Sequence, residues 1–310
     1  MALHVIVGAG SVGSATARIL ADRGDEVRLV SRSGTGPEEL GIARIAADAS
    51  DQTELSRIAV GASAIYNCAN PQYHRWVTDW PPLAASLLET ATKVGAVLVT
   101  VNNLYAYGPV DHPMTERDPF APVGIKGHVR AKMWTDALAA HQSGRVRVTE
   151  ARASDYFGPG LTDTSHLGSR VVPRILAGRS IRVLGNPDAP HSWTYVPDVA
   201  RTLVTLSSDP RAWGRAWHVP TEPPQSQREV IRAMASVAGV PTPSVRSVPR
   251  WMLWLGGVFS PTVREIPEVL YQFNRPFILD STETTATFGI QPTPFPEALV
   301  ATVRWWQTRG

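Results

Sequence analysis

Short apolar runs alternate with amphipathic stretches through the first half of this chain. Leu3 to Val7 is a β-branched run that reads as a strand, and Val12 to Arg23 reads as a helix that Gly24 stops. Glu26 to Val30, Ile42 to Ala46 and Ala64 to Cys68 read as further strands. Leu83, Leu87, Leu88 and Ala91 fall on one stripe, which predicts a helix from Leu83 to Val94. Val97 to Val101 is apolar toward both faces, as a central parallel strand is. A helix from about Gly127 to His141 and a strand from Val146 to Glu150 complete the series. Repeated strand–helix alternation with short connections predicts an α/β fold built on a doubly wound parallel sheet.

The pattern changes after Tyr156. Gly158-Pro159-Gly160, Pro187, Pro190 and Pro197 interrupt it, and most of the 10 tryptophans lie beyond residue 190. This divides the chain into a unit over residues 1–155 and a smaller, irregular lobe over 156–310, with segments around 190–206 returning to the first unit. Asp198 to Leu206 reads as a helix capped by Asp198, and Ser226 to Ala238 as one opened by a Ser226/Glu229 capping box. The apolar stretch Trp251 to Phe259 is too short to span a bilayer. Its Trp251-Met252-Leu253-Trp254-Leu255 core suits a lid or a core helix; a dimer face and a membrane-surface helix are the other uses of such a segment.

Composition narrows the classes. The 310 residues are 43% hydrophobic and 18% charged, so the chain can bury a sizeable core. Thirty basic residues against 27 acidic ones give a net charge of +3, with no basic run, which argues against nucleic acid as a partner. A single cysteine, Cys68, excludes an internal disulfide framework and suits a reducing cytoplasm. The chain opens on a strand rather than a signal peptide. The 8 histidines show no metal-ligand spacing, so no metal is expected, and no Gly-x-Ser-x-Gly elbow is present.

The chemistry is signalled where the first strand meets the first helix. Gly8, Gly10 and Gly13 form G-x-G-x-x-G, with Ser11 and Val12 between them. Such a turn brings backbone close to a pyrophosphate and aims a helix N-terminus at it. An acid at the end of the second strand would accept from a ribose 2′-OH. Here Ser31 and Arg32 stand there, which predicts a 2′-phosphate and therefore NADP.

Together with this turn, Asn67-Cys68-Ala69-Asn70, Asn102 to Pro109, Arg152 to Gly160 and Trp193 to Asp198 resemble the extended short-chain dehydrogenase/reductase superfamily, within its NAD-dependent epimerase/dehydratase group. The resemblance covers nearly the whole chain. It implies a Rossmann sheet with a smaller C-terminal substrate lobe. It also implies Asp48 and Ala49 near the adenine, Cys68, Ala69 and Asn70 along the cofactor, and Ser154 to Phe157 near the nicotinamide. Such proteins carry a Ser or Thr where Asn103 stands, and a Tyr-x-x-x-Lys whose tyrosine exchanges a proton with the substrate. This chain has no tyrosine there. One register places Lys126 at the tyrosine position and Arg130 at the lysine position; the other uses His128 and Lys132. Tyr105 or Tyr107 could instead reach the same point. Lys126 as a donor would need a desolvated or cation-crowded site.

On the substrate side the resemblance points to Tyr107, Tyr156, His191 and Trp193. His191 stands where sugar-nucleotide enzymes carry an arginine for the diphosphate, while Arg170, Arg174 and Arg182 lie nearby in sequence. The tryptophans of the lobe suit a small, partly apolar substrate. The leading expectation is an NADP-dependent oxidoreductase or epimerase-like enzyme acting on a small carbonyl or alcohol compound. The alternatives are a nonenzymatic NADP-binding sensor or interaction protein and a non-redox isomerase or cyclase. The resemblance adds a homodimer through two helices on one sheet face.

Overall fold

Short runs rich in β-branched and apolar residues form the strands here, and the central ones are buried on both faces. The computed structural model describes residues 1–162 and 165–309. β1 (Leu3–Val7), β2 (Glu26–Ser31), β3 (Ile42–Ala46), β4 (Ala62–Asn67), β5 (Val97–Asn102) and β6 (Arg147–Arg152) join an edge strand, Arg215–His218, in a seven-stranded sheet. Its order is Arg215–His218, β6, β5, β4, β1, β2, β3, and every pairing is parallel. The winding reverses between β1 and β4. Val7 there lies beside Val30 of β2 and Asn67 of β4, so the strands end level and open a crevice at a topological switch point.

Helices cover both faces. α1 (Ser11–Asp22) and the helix Val196–Ser208 pack on one, through Ala17, Leu20, Val199 and Leu203. α2 (Gln52–Ile58), α3 (Trp76–Val94) and α4 (Ile125–Gln142) cover the other, through Leu55, Trp80, Leu87 and Trp134. Ile6, Leu29 and Val99 between them have no exposure, and each such side chain contributes about 1.5–3 kcal/mol before its entropy cost. A further core joins the helices Val172–Leu176, Gln227–Ala238 and Phe295–Gln307 around Phe157, Trp193 and Phe273.

Four segments differ from the sequence reading. α3 starts at Trp76, ahead of Leu83, and runs through Pro81 and Pro82. Prolines inside a helix cost backbone bonds, but complete burial of Trp76 and Trp80 at its start outweighs that loss. α2, which has no clear apolar stripe, is fixed by Asp51, whose carboxylate accepts from the N–H groups of Thr53 and Glu54. The helix Val196–Ser208 begins before Asp198 and has no side-chain cap. Asp198 instead accepts from Thr293 N at 2.8 Å and from its Oγ1 at 2.6 Å, tying down the C-terminal segment. The helix Arg250–Phe259 is not a core helix, since Trp251, Trp254 and Phe259 are 63%, 74% and 82% exposed.

Candidate active site

The strand ends open into a cleft of about 680 Å³. Its base is the turn from β1 into α1. Gly8 holds φ +108°, and a Cβ there would stand 2.6 Å from Ala69 N. A Cβ on Gly13 would stand 1.9 Å from the Gly8 carbonyl oxygen, so neither position accepts a side chain. A Cβ on Gly10, which lines the cleft, would meet nothing within 4 Å. α1 then begins at Ser11 without a side-chain cap and without an acid in its first turn. Its free N–H groups and positive dipole end are left for an anion. Ser11 and Val12 line the cleft beside Gly10.

Ser31, Arg32, Asp48 and Ala49 form one end. No carboxylate stands at the end of β2, and Arg32 is exposed there. Hydrogen bonds from the hydroxyl and amide of Ser50 hold the Asp48 carboxyl below its usual range, with a smaller contribution from Arg32. Cys68, Ala69 and Asn70 line the middle. Burial pushes the Cys68 thiol up to about 12, which makes it an inert wall at neutral pH.

Arg130 enters from α4. It is 5% exposed and lies between the rings of Trp76 and Trp80, at 4.5 and 4.3 Å from their centroids. Its Nη2 donates to Asn70 Oδ1 at 3.2 Å, while its Nε and Nη1 have no partner. Burial lowers its pKa to about 10, so it is a cation at neutral pH. Two unused buried donors on a cation are costly, and a ligand's oxygens at this point would satisfy them.

At the far end two phenols meet. Tyr73, from the turn Tyr73–Arg75, and Tyr105, from the turn Tyr105–Tyr107, have hydroxyls 2.7 Å apart. Gln272 Nε2 donates to Tyr105 Oη at 3.4 Å. Either phenol can donate in this pair, and the arrangement in which Tyr105 donates to Tyr73 leaves the Tyr73 proton for a ligand. Burial pushes Tyr73 up to about 12 and Tyr105 well above the usual phenol range, so both are protonated at neutral pH. Asn103, Tyr156 and Asp155 share this end, although Asn103 Oδ1 is occupied by the Tyr105 N–H at 3.1 Å. Burial pushes the Asp155 carboxyl up, but His166 and His191 outweigh it and hold the group below its usual range. His191 Nε2 lies 2.8 Å and His166 Nε2 3.5 Å from its oxygens.

The other residues singled out from the sequence lie outside the cleft. Lys126 is 1% exposed, with Nζ 2.6 Å from Glu265 and 2.7 Å from Glu268. Its burial meets the desolvated condition named above, but two carboxylates flank it in place of neighbouring cations. His128 is exposed on α4 with Nδ1 2.7 Å from Gly124 O, and Lys132 pairs with Asp136. Tyr107 is fully buried, accepting from Arg152 Nη1 at 2.6 Å and bonded to His218 Nε2 at 2.8 Å. His191 stands behind Asp155, stacked on Phe273, and Trp193 Nε1 donates to Gln225 O at 2.9 Å within the lobe's core. The expected tryptophan lining is also absent: Trp193, Trp213, Trp217, Trp251 and Trp254 all lie away from the cleft.

A model of the NAD dependent epimerase/dehydratase family matches residues 4–219. The chain belongs to that family. It is 28% identical over 227 residues to UDP-glucuronic acid decarboxylase 1 of Arabidopsis thaliana, a match covering 66% of the chain and 52% of the relative. The chain thus spans about half of that relative's length. UDP-glucose 4-epimerase of Thermotoga maritima shares the fold with a TM-score of 0.82 and 17% identity over 99% of both chains. A dTDP-glucose 4,6-dehydratase of Bacillus anthracis, solved with NAD, does so with a TM-score of 0.81 and 16% identity, covering 99% of this chain and 97% of that one. The open space at Gly10, the uncapped α1 and the two unused Arg130 donors fit a dinucleotide of the kind the family's description names. In the register that sets Lys126 and Arg130 at the tyrosine and lysine positions, Arg130 faces the cleft and Lys126 does not; in the other register neither His128 nor Lys132 lines it. The sequence reading missed Tyr73, Trp76, Trp80 and Gln272. Tyr73, Trp76 and Trp80 recur at i, i+3 and i+7, a stripe that was visible in the sequence; Gln272 carries no local signal.

Proposed function

We propose that this chain is an NADP-dependent oxidoreductase that interconverts a carbonyl and an alcohol, with Tyr73 as the proton donor. The reading is carried by the bonded series Gln272, Tyr105, Tyr73 at the end of the cleft beyond Arg130. When bound, the dinucleotide supplies hydride exchange at its nicotinamide ring. Arg130 Nε and Nη1 hold ribose hydroxyls, and α1 receives the pyrophosphate. Ser31 and Arg32 hold the 2′-phosphate. Tyr73 gives its proton to the substrate oxygen, and Tyr105 stabilises the phenolate left behind by donating to it. Asp155 accepts from a second polar group on the substrate.

A nucleotide sugar, the kind of compound named for the structural relatives, would need cations for its diphosphate. The guanidiniums lining the cleft among the described residues are Arg32, Arg75 and Arg130. Arg75 is paired with Asp79, and the other two are assigned to the cofactor. This supports a substrate without a diphosphate.

The test is a carbonyl panel followed by NADPH consumption, with nucleotide sugars included. Tyr73→Phe should lower kcat by about 10²–10⁴-fold with NADPH affinity unchanged. An unaltered kcat removes Tyr73 from the role. NADPH binding without turnover of any compound in the panel would favour the second reading, a cofactor-binding sensor, for which the unavailable Lys126 is the supporting observation.

A further inference from the structure

The helix Arg250–Phe259 inverts the usual burial of an amphipathic helix. Trp251, Trp254, Leu255 and Val258 recur at i, i+3, i+4 and i+7, and all are exposed, as is Phe259. The opposite side is already packed, with Leu253 buried and a Cβ on Gly257 only 3.3 Å from Arg264 Cα. None of the exposed five lines the cleft, so the stripe does not serve as its wall.

The charge around this stripe has one sign. From residue 230 to residue 264 the chain has no Asp or Glu but carries Arg232, Arg246, Arg250 and Arg264. The strands Ile181–Val183 and Val245–Ser247 pair so that Arg182 lies beside Arg246. Arg182 Nη1 reaches Met252 Sδ at 2.8 Å, and Arg264 Nε donates to Gly257 O at 3.3 Å, which fixes both cations against the helix. Arg182, Arg246 and Arg264 are exposed, and among the described residues none has an acidic partner. The next acids along the chain, Glu265 and Glu268, are held by Lys126.

Two surfaces could cover such a stripe. A second copy docking by two-fold symmetry would set the same arginines against each other. A bilayer with anionic headgroups takes aromatic side chains at its acyl boundary and pairs phosphates with the guanidiniums. No helix among the described residues is long and apolar enough to cross a membrane, so the contact would be peripheral. We propose that the helix Arg250–Phe259 docks the protein on an anionic membrane surface, with Trp251, Trp254, Val258 and Phe259 entering the interface and Arg182, Arg246 and Arg264 meeting the headgroups.

The test is flotation of the full chain with vesicles of phosphatidylcholine alone and of phosphatidylcholine with phosphatidylglycerol. Binding is expected to the anionic vesicles and to fall as salt rises. Arg182→Gln with Arg246→Gln should weaken it by about fivefold for each arginine removed. Trp251→Ser with Trp254→Ser should remove it. An unchanged circular dichroism spectrum and melting temperature in both variants would show that the fold is intact, a control that does not depend on the proposed function. No flotation, equal binding to neutral vesicles, or a dimer that the tryptophan pair dissociates would each overturn the proposal.

Discussion

Under the proposed function, the exposed Arg32 at the cleft's end separates two otherwise similar dinucleotides by charge. A 2′-phosphate offers it a charge-assisted contact, whereas a 2′-hydroxyl does not. Arg32→Ala should therefore weaken NADPH by about 10–100-fold and leave NADH within about threefold, read by titration of both. Equal losses would remove Arg32 from the phosphate site. At this scale the cofactor side was legible because it is written in local order: three glycines, then a strand end without an acid. The far end was not, because its groups come from separated parts of the chain. Tyr73, Tyr105 and Gln272 meet only after the segment following the Arg250–Phe259 helix folds back over the cleft. Lys126 illustrates the same limit. Its position in the helix was readable, but its two carboxylate partners lie about 140 residues away in sequence.

Among the elements, those with explicit end signals were the easiest to place. Ser226 accepts from the Glu229 N–H, and Glu229 accepts from Ser226 N at 2.7 Å, which is the capping box its spacing predicts. Ser226→Ala should cost about 0.5–2 kcal/mol in denaturant unfolding with no change in NADPH affinity. A loss below about 0.3 kcal/mol would mean that packing of the helix on Phe295–Gln307 sets its start instead. Elements whose local preference conflicts with tertiary burial were the ones misread. The sequence reading started this helix at Leu83, yet α3 begins at Trp76 and passes through Pro81 and Pro82, with Trp76 and Trp80 buried ahead of them. The Trp251–Leu255 run left a lid, a core helix, a dimer face and a membrane-surface helix open, and the exposure of Trp251, Trp254 and Leu255 removes the core helix.

Across the whole molecule, the buried His4 and His218 and the partly exposed His166 weaken the fold in acid, opposed by the exposed His112, whose pKa Asp111 and Asp118 raise. Burial lowers the pKa of His4, His166 and His218, against smaller effects from neighbouring acids. Each binds its proton more weakly in the folded state than in the unfolded chain. Their stabilising contribution is complete above the ordinary histidine pKa and is lost as pH falls below it. Each withdraws at most about 1.4 kcal/mol per pH unit. The depressed Asp155 carboxyl acts in the same direction, but only in the carboxylate range. The melting temperature should therefore be flat above about pH 7 and decline continuously toward pH 5, as followed by thermal unfolding in matched ionic strength. A melting temperature that rises over that interval would contradict the burial of these rings. The layered sheet was readable at this scale from alternation alone; the acid response was not, since it depends on which imidazoles the packing removes from water.

Position 126 also constrains any attempt to introduce a tyrosine at the start of α4. Glu265 and Glu268 converge on a single ammonium, and together they fasten the strap over the cleft to α4. Placing a phenol there by one substitution would strand both carboxylates without their cation. A designer placing a phenol there must therefore redesign the clasp together with position 126.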